Sequence, residues 1–161
     1  MADIDLGLKQ RKTIAVCCAA EPTEREIALA YEVGRRIALQ GAILVCGGLG
    51  GSMEAACRGA KEAGGITVGI LPTYEKSTAN PWIDIPIPTG LGHARNNLIA
   101  AMGDAIIGVG GSWGTLSELS TAMRMGKRVV VLEGWQVSTP SEIKEFAVAA
   151  TPEEAVNMAM A

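Results

Sequence analysis

Aromatic residues are scarce, 4 % of the chain, and histidine occurs once in 161 residues. A core without aromatics has to be filled by Ala, Val, Ile, Leu and Met. A single histidine, His93, together with cysteines that form no C-x-x-C pair, excludes the ligand spacing of a zinc site, and no metal is expected. Cys17, Cys18, Cys46 and Cys57 read instead as small buried hydrophobes in a reducing compartment. There is no run of one charge, and a net charge of −3 leaves no basic stripe, so no nucleic-acid partner is expected. The opening MADIDLGLKQRK lacks an apolar signal core, and the most apolar stretch, 98–109, is interrupted by Asp104 and too short for a bilayer. The expectation is a cytoplasmic protein with no membrane contact.

What the sequence does have is glycine, 20 residues of it, placed at the ends of apolar runs as punctuation. Runs at 13–18, 42–46, 67–71, 104–110 and 128–134 read as strands. A proline-bearing piece near 83–87 reads as an edge strand, and 146–149 as a short last strand. Helices are expected over 23–40, 53–63, 93–102 and 115–125, and again from Thr151 and Pro152. In the first of these, Ile27, Tyr31, Gly34 and Ala38 mark the apolar face. Strands that are apolar throughout and alternate with helices predict an α/β fold. It is a single Rossmann-like domain over 1–161, a doubly wound parallel sheet with helices on both faces, after an N-terminal tail of 1–12.

In an open parallel sheet, ligands bind beyond the carboxyl ends of the strands. Three turns belong there. The first is Gly47-Gly48-Leu49-Gly50-Gly51-Ser52-Met53, whose glycines let successive backbone N–H groups approach a phosphate. No Lys-Ser/Thr follows, so it is not a P-loop, and position 53 is not the glycine of a dinucleotide fingerprint. A tight turn without a ligand is the alternative. The second is Gly110-Gly111-Ser112-Trp113-Gly114-Thr115, which offers amides and a hydroxyl at a helix start. Glu118 follows one turn further up, near the anion site but not on it; otherwise it is a first-turn acid favouring the helix dipole. The third is Gly92-His93-Ala94-Arg95-Asn96-Asn97.

Arg95 falls in a first helical turn, where a cation opposes the dipole, so it needs a partner. That partner is an anionic ligand gripped in two-pronged fashion, or else an acid such as Glu118 or Asp104. His93 reads as a hydrogen-bonded structural residue. Trp113 stacks on a ligand ring, packs over its loop or meets another subunit. Met102, Met123, Met125, Met158 and Met160 read as core or interface filling.

Together the three turns resemble the LOG-like Rossmann superfamily, which includes cytokinin-nucleotide phosphoribohydrolases and molybdenum-cofactor carrier proteins. The resemblance covers about Ile14 to Leu132. Its G-G-x-x-G-x-M pattern is matched by Gly47, Gly48, Gly51 and Met53, and P-G-G-x-G-T-x-x-E by Gly111, Gly114, Thr115 and Glu118. Arg95 matches the arginine of the intervening helix. Gly110 stands in place of the hydrolases' proline, and Ser112 in place of their second glycine, as in the short carrier-type branch.

The resemblance implies a binding or carrier protein for a phosphorylated nucleotide- or molybdopterin-like ligand. Ligand-binding positions would be Gly47, Gly48, Gly50, Gly51, Ser52, Met53, Arg95, Asn96, Gly111, Ser112, Trp113, Gly114 and Thr115. The alternative it implies is a nucleoside 5′-monophosphate phosphoribohydrolase, an N-glycosidase in which Arg95 and Glu118 would be catalytic. No cofactor is required; the bound species would be molybdenum cofactor or a nucleotide monophosphate. A homo-oligomer, dimer or tetramer, is implied, and Ala100, Ala101 and Ala122 would permit close helix packing between subunits. A pyridoxal phosphate-dependent lysine decarboxylase finds no support, since neither Lys61 nor Lys127 has a recognisable setting for the cofactor.

Overall fold

The computed structural model describes residues 7–161, so the first half of the expected N-terminal tail lies outside the described residues. Seven strands follow: β1 (Thr13–Cys18), β2 (Ile43–Cys46), β3 (Ile66–Leu71), β4 (Ile85–Pro88), β5 (Ala105–Val109), β6 (Arg128–Leu132) and β7 (Ala147–Ala149). Five helices alternate with them: α1 (Glu24–Leu39), α2 (Ser52–Glu62), α3 (Asn96–Met102), α4 (Trp113–Arg124) and α5 (Pro152–Met160). All strands are parallel, in the order β4-β3-β2-β1-β5-β6-β7. The chain winds outward from β1 to the proline-bearing edge β4. It then crosses back to pair β5 with the other side of β1. The switch in winding, and hence the ligand crevice of such a sheet, lies at the carboxyl ends of β1, β2 and β5.

Side-chain alternation along each strand divides the core between the two faces. Ile14, Val16, Leu44 and Ile107 pack on one face under Val33 and Ile37 of α1, Ala56 of α2 and Val156 of α5. Ala15, Cys17, Val45 and Ile106 pack on the other under Ile99 of α3 and Leu119 and Ala122 of α4. A fully buried Ile or Leu of this kind is worth about 2 kcal/mol.

α1 and α2 cross backbone to backbone. A Cβ on Gly34 would lie 1.9 Å from the Ala56 carbonyl oxygen, and one on Gly59 would lie 2.0 Å from that of Tyr31. This crossing rotates α1 relative to the expected stripe. The buried residues are Ala30, Val33, Gly34 and Ile37, while Ile27 is exposed.

Three further expectations change. The segment read as a helix from 93 opens as a 3-10 turn, Gly92–Arg95, so Arg95 precedes α3 instead of lying in its first turn. α4 begins two residues earlier than expected, behind Ser112. Met102 and Met125 are exposed, whereas Met123, Met158 and Met160 pack against the core. Ala100 and Ala122 are fully buried beneath α3 and α4 and pack within this chain; Ala101 is exposed. No helix among the described residues is long and apolar enough to cross a membrane.

Candidate functional site

The first turn leaves the end of β2 and enters α2. Gly48 and Gly51 adopt positive φ (76° and 66°), conformations that L side chains rarely take. A Cβ on Gly51 would lie 2.3 Å from the Ala20 carbonyl oxygen, so the turn is pressed against the loop after β1. Two of its amides are already engaged. Gly48 N–H donates to Cys46 Sγ (3.3 Å) and Ser52 N–H to the Ala19 carbonyl (3.1 Å).

Arg95 reaches this turn from the opposite side. A Cβ on Gly47 would meet Arg95 Nη2 at 2.8 Å, so the guanidinium lies directly against this glycine. Arg95 is buried, 8 % exposed, and Asn96 Oδ1 accepts a hydrogen bond from its Nη1. Neither acid weighed as its partner forms an ion pair with it. Asp104 instead accepts from the Thr13 N–H (2.8 Å), and the ion pairs among the described residues do not include Arg95.

Two buried side-chain polar atoms among the described residues lack a hydrogen-bond partner, Arg95 Nε and Ser52 Oγ. One belongs to the first turn and the other to the side chain lying against it. Buried donors are rarely left unmade, and a buried cation is costly without a counter-charge.

Glu118 comes from α4 on the same face and is also buried, 7 % exposed. Desolvation dominates its ionisation and pushes the carboxyl up to about 7; the nearby Arg95 and a hydrogen bond from Cys17 act in the opposite direction. The Cys17 thiol is itself pushed well up by burial and by the Glu118 charge, so it stays protonated and serves as the donor. Glu118 is thus neither a solvated first-turn acid nor a salt-bridge partner. It is a desolvated carboxyl that titrates near neutrality.

The second turn is differently furnished. Glu26 caps its own helix, its Oε2 accepting from the Thr23 N–H (2.7 Å), while its Oε1 accepts from the Gly111 N–H (3.3 Å). Ser112 N–H donates to Thr115 Oγ1 (3.2 Å). Two amides expected to meet a phosphate therefore serve the protein itself. Gly110 has φ 58°, a conformation that L side chains rarely adopt, and a Cβ on it would lie 1.9 Å from Glu26 Oε1. Above the turn lies a cavity of about 470 Å3 lined by Glu26, Gly110, Gly111, Glu133, Trp135 and neighbouring residues. Arg25 grips Glu133 from α1 with two hydrogen bonds, one of 2.5 Å from Nε. Trp113 is 77 % exposed and its ring stands 4.9 Å from that of Trp135.

Glu26, Glu133, Trp135 and Cys17 were not among the candidate site residues. Of these only Glu26 carries a local signal, the Thr23-x-x-Glu26 spacing of a capping box. His93, on the exposed 3-10 turn, takes no part in the cluster. Lys61 and Lys127 are tied to Asp84 (2.8 Å) and to the Gly103 carbonyl (2.7 Å), away from these turns.

The comparisons with known proteins bear on the family and the fold. A protein of Archaeoglobus fulgidus is 47 % identical over 144 residues, 89 % of this chain and 91 % of its own length. A cytokinin riboside 5′-monophosphate phosphoribohydrolase of Mycobacterium tuberculosis is 38 % identical over 133 residues, 76 % of this chain and 71 % of that protein. Among solved structures, the molybdenum cofactor binding protein of Rippkaea orientalis superposes with a TM-score of 0.85 at 35 % identity, covering 92 % of this chain and 94 % of that one. The molybdenum cofactor carrier protein of Chlamydomonas reinhardtii gives 0.81 at 35 % identity, covering 91 % and 94 %. The SLOG cluster4 family model matches residues 11–158. A family match over nearly the whole chain, with relatives that share its Rossmann-type fold, makes this chain a member of the SLOG cluster4 family, within the LOG-like group.

Proposed function

We propose that the protein binds and carries a phosphorylated heterocycle of the nucleotide monophosphate or molybdopterin class. The observation that carries this reading is the buried Arg95, which among the described residues has an unpartnered Nε and no carboxylate within ion-pair distance, lying against a glycine turn whose Ser52 hydroxyl is also unpartnered there. A phosphate there would supply the missing counter-charge and accept from Nε, Ser52 Oγ and the remaining amides of Gly50 to Met53.

The second turn suits the other end of such a molecule. Glu26 lines its cavity with a carboxylate, which disfavours phosphate but has acceptor capacity for N–H donors of an amino-heterocycle edge, the neighbouring Glu133 being ion-paired to Arg25, and Trp135 offers a stacking face. β2 and β5 both pair with β1, so their carboxyl ends stand about 10 Å apart, two strand spacings, within the reach of a small phosphorylated heterocycle. The solved relatives of similar length, which bind or carry molybdenum cofactor, support the same reading. The exposed Leu98, Met102 and Met125 on α3 and beside α4 offer a self-association face, and a cytoplasmic homo-oligomer completes the proposal.

One observation favours the N-glycosidase reading as well: Glu118, buried beside Arg95 with its carboxyl at about 7, is suited to exchange a proton near neutral pH, as cleavage of an N-glycosyl bond requires. Two measurements decide. Mass spectrometry of protein purified from its own host is expected to find a phosphorylated heterocycle bound to the chain; ligand-free protein that binds neither nucleotides nor molybdenum cofactor at micromolar levels refutes the carrier. Release of free base from a panel of nucleoside 5′-monophosphates, abolished in Glu118→Gln, would establish the hydrolase instead.

A further inference from the structure

Beneath the first turn lie two sulfur atoms that the binding site does not use. Cys46 ends β2 and Cys57 sits in α2, and their Sγ atoms are 3.5 Å apart in a fully buried setting. The segment between them contains the whole Gly47–Met53 turn. Gly48, inside that segment, donates its N–H to Cys46 Sγ at 3.3 Å. The turn's conformation is therefore tied directly to the state of this sulfur.

We infer that Cys46 and Cys57 are a redox pair whose oxidation to a disulfide reshapes the Gly47–Met53 turn and so controls anion binding there. The control of binding rests on the proposed function; the chemistry of the pair does not. A disulfide requires the sulfurs to close from 3.5 Å to a bond of about 2 Å. The helix cannot easily follow, because the Gly34 and Gly59 crossings hold α2 backbone against α1. The strand is equally held, paired on both sides by β1 and β3. The adjustment falls on the turn, where the Gly48 N–H loses its sulfur acceptor geometry.

With hydrogen peroxide as oxidant, the Cys46 thiolate attacks one peroxide oxygen. The O–O bond breaks to give Cys46 sulfenic acid and hydroxide, and the proton that the Cys46 thiol gave up returns to this hydroxide, so that one water leaves. Cys57 sulfur then attacks the sulfenic sulfur, forming the S–S bond and breaking the S–O bond. The released hydroxide takes the Cys57 proton and leaves as the second water. Two electrons pass from the thiols to peroxide, and a dithiol reductant reverses the step. Cys46 is the suited nucleophile. The hydrogen bond from Cys57 and the Gly48 amide draw its thiol below the ordinary range, whereas burial pushes Cys17 and Cys18 well up. Peroxide is small enough to reach a buried pair through local opening of the turn.

The experiment treats the full chain with peroxide and maps its thiols under non-reducing, denaturing conditions. The expected product is a Cys46–Cys57 linked peptide, about 2 Da lighter than the reduced pair and restored by a dithiol. Hydrogen exchange over 47–53 should be faster in the oxidised chain. Adenosine 5′-monophosphate, used as probe, should bind about tenfold more weakly, the worth of one charge-assisted amide contact. Cys57→Ala should abolish all three changes and Cys18→Ala none. If Cys57→Ala does not fold, peptide mapping of the natural chain decides alone.

Linkage through any other cysteine pair, both thiols remaining alkylatable after peroxide, or unchanged exchange over 47–53 in the linked chain would overturn the inference. A reduced chain that fails to bind the probe would refute the anion site, while the mapping and exchange would still decide the redox pair.

Discussion

Replacing Glu118 by Gln tests the desolvated carboxyl at the centre of the site. The side chain is 7 % exposed, and its carboxyl rises from an ordinary value of 4.5 to about 7 on folding. At about 1.4 kcal/mol per pH unit, that gap makes the ionised form cost the folded state about 3 kcal/mol. The sign follows from proton binding. Below 4.5 the carboxyl is protonated in both states and the penalty is absent; between 4.5 and 7 the folded state holds the proton more tightly; above 7 the full penalty applies. The stability of the natural chain therefore falls through this window relative to Glu118→Gln, which cannot ionise. Urea unfolding of both proteins at about pH 4.5 and about pH 8 should show Glu118→Gln gaining about 3 kcal/mol on the natural chain between the two conditions. Every other titrating group is common to both chains and cancels. A stability difference that is the same at both pH values would refute the claim that the folded chain keeps this carboxyl desolvated.

Binding of an anion beside Arg95 should favour the protonated form of Glu118, so titration with adenosine 5′-monophosphate near pH 7 should take up protons, and affinity should fall as pH rises above about 7; calorimetry in buffers of different ionisation enthalpy would detect both. Arg95→Ala should weaken that binding at least about tenfold, with Arg95→Lys recovering only part, because a point charge cannot replace the fork; equal affinity in both variants and the natural chain would exclude Arg95 from the site. Gly34→Ala should destabilise the fold by about 2 kcal/mol or more, since its Cβ would lie 1.9 Å from the Ala56 carbonyl oxygen, and thermal unfolding checks it. Light scattering should find an oligomer that Met102→Glu with Met125→Glu dissociates, given that both methionines are exposed; a monomeric natural chain would contradict the proposed assembly.

Much of this was legible along the chain because the relevant signals are local. A continuous apolar run of strand formers located β1 at its observed limits, and two prolines marked β4 as the sheet edge. The Thr151-Pro152 start of α5 appeared with Thr151 accepting from the Glu154 N–H. What escaped depends on contacts between distant segments. Glu26 reaches the Gly111 amide across 85 positions, and no local pattern announces that a capping acid will be used twice. The helical period placed Glu118 one turn above Gly114, but its burial comes from the packed sheet, and its hydrogen-bond donor, Cys17, lies in a strand about a hundred positions earlier. Ile27 was misread because the α1 stripe is set by Gly34 crossing Ala56, a partner the period of one helix cannot supply. Cys46 and Cys57, eleven positions apart, meet only because α2 folds back beside the strand that precedes it.

The central claim is that Arg95, with the first glycine turn, holds a phosphate. It is tested most directly by following the Arg95 Nε–H and the 47–53 amides by 1H–15N NMR while adenosine 5′-monophosphate or molybdenum cofactor is added. The account predicts that the Nε–H resonance and the amides of Gly50 to Met53 shift together and saturably with one ligand per chain. Ligand binding that leaves the Nε–H and these amides unmoved would contradict it.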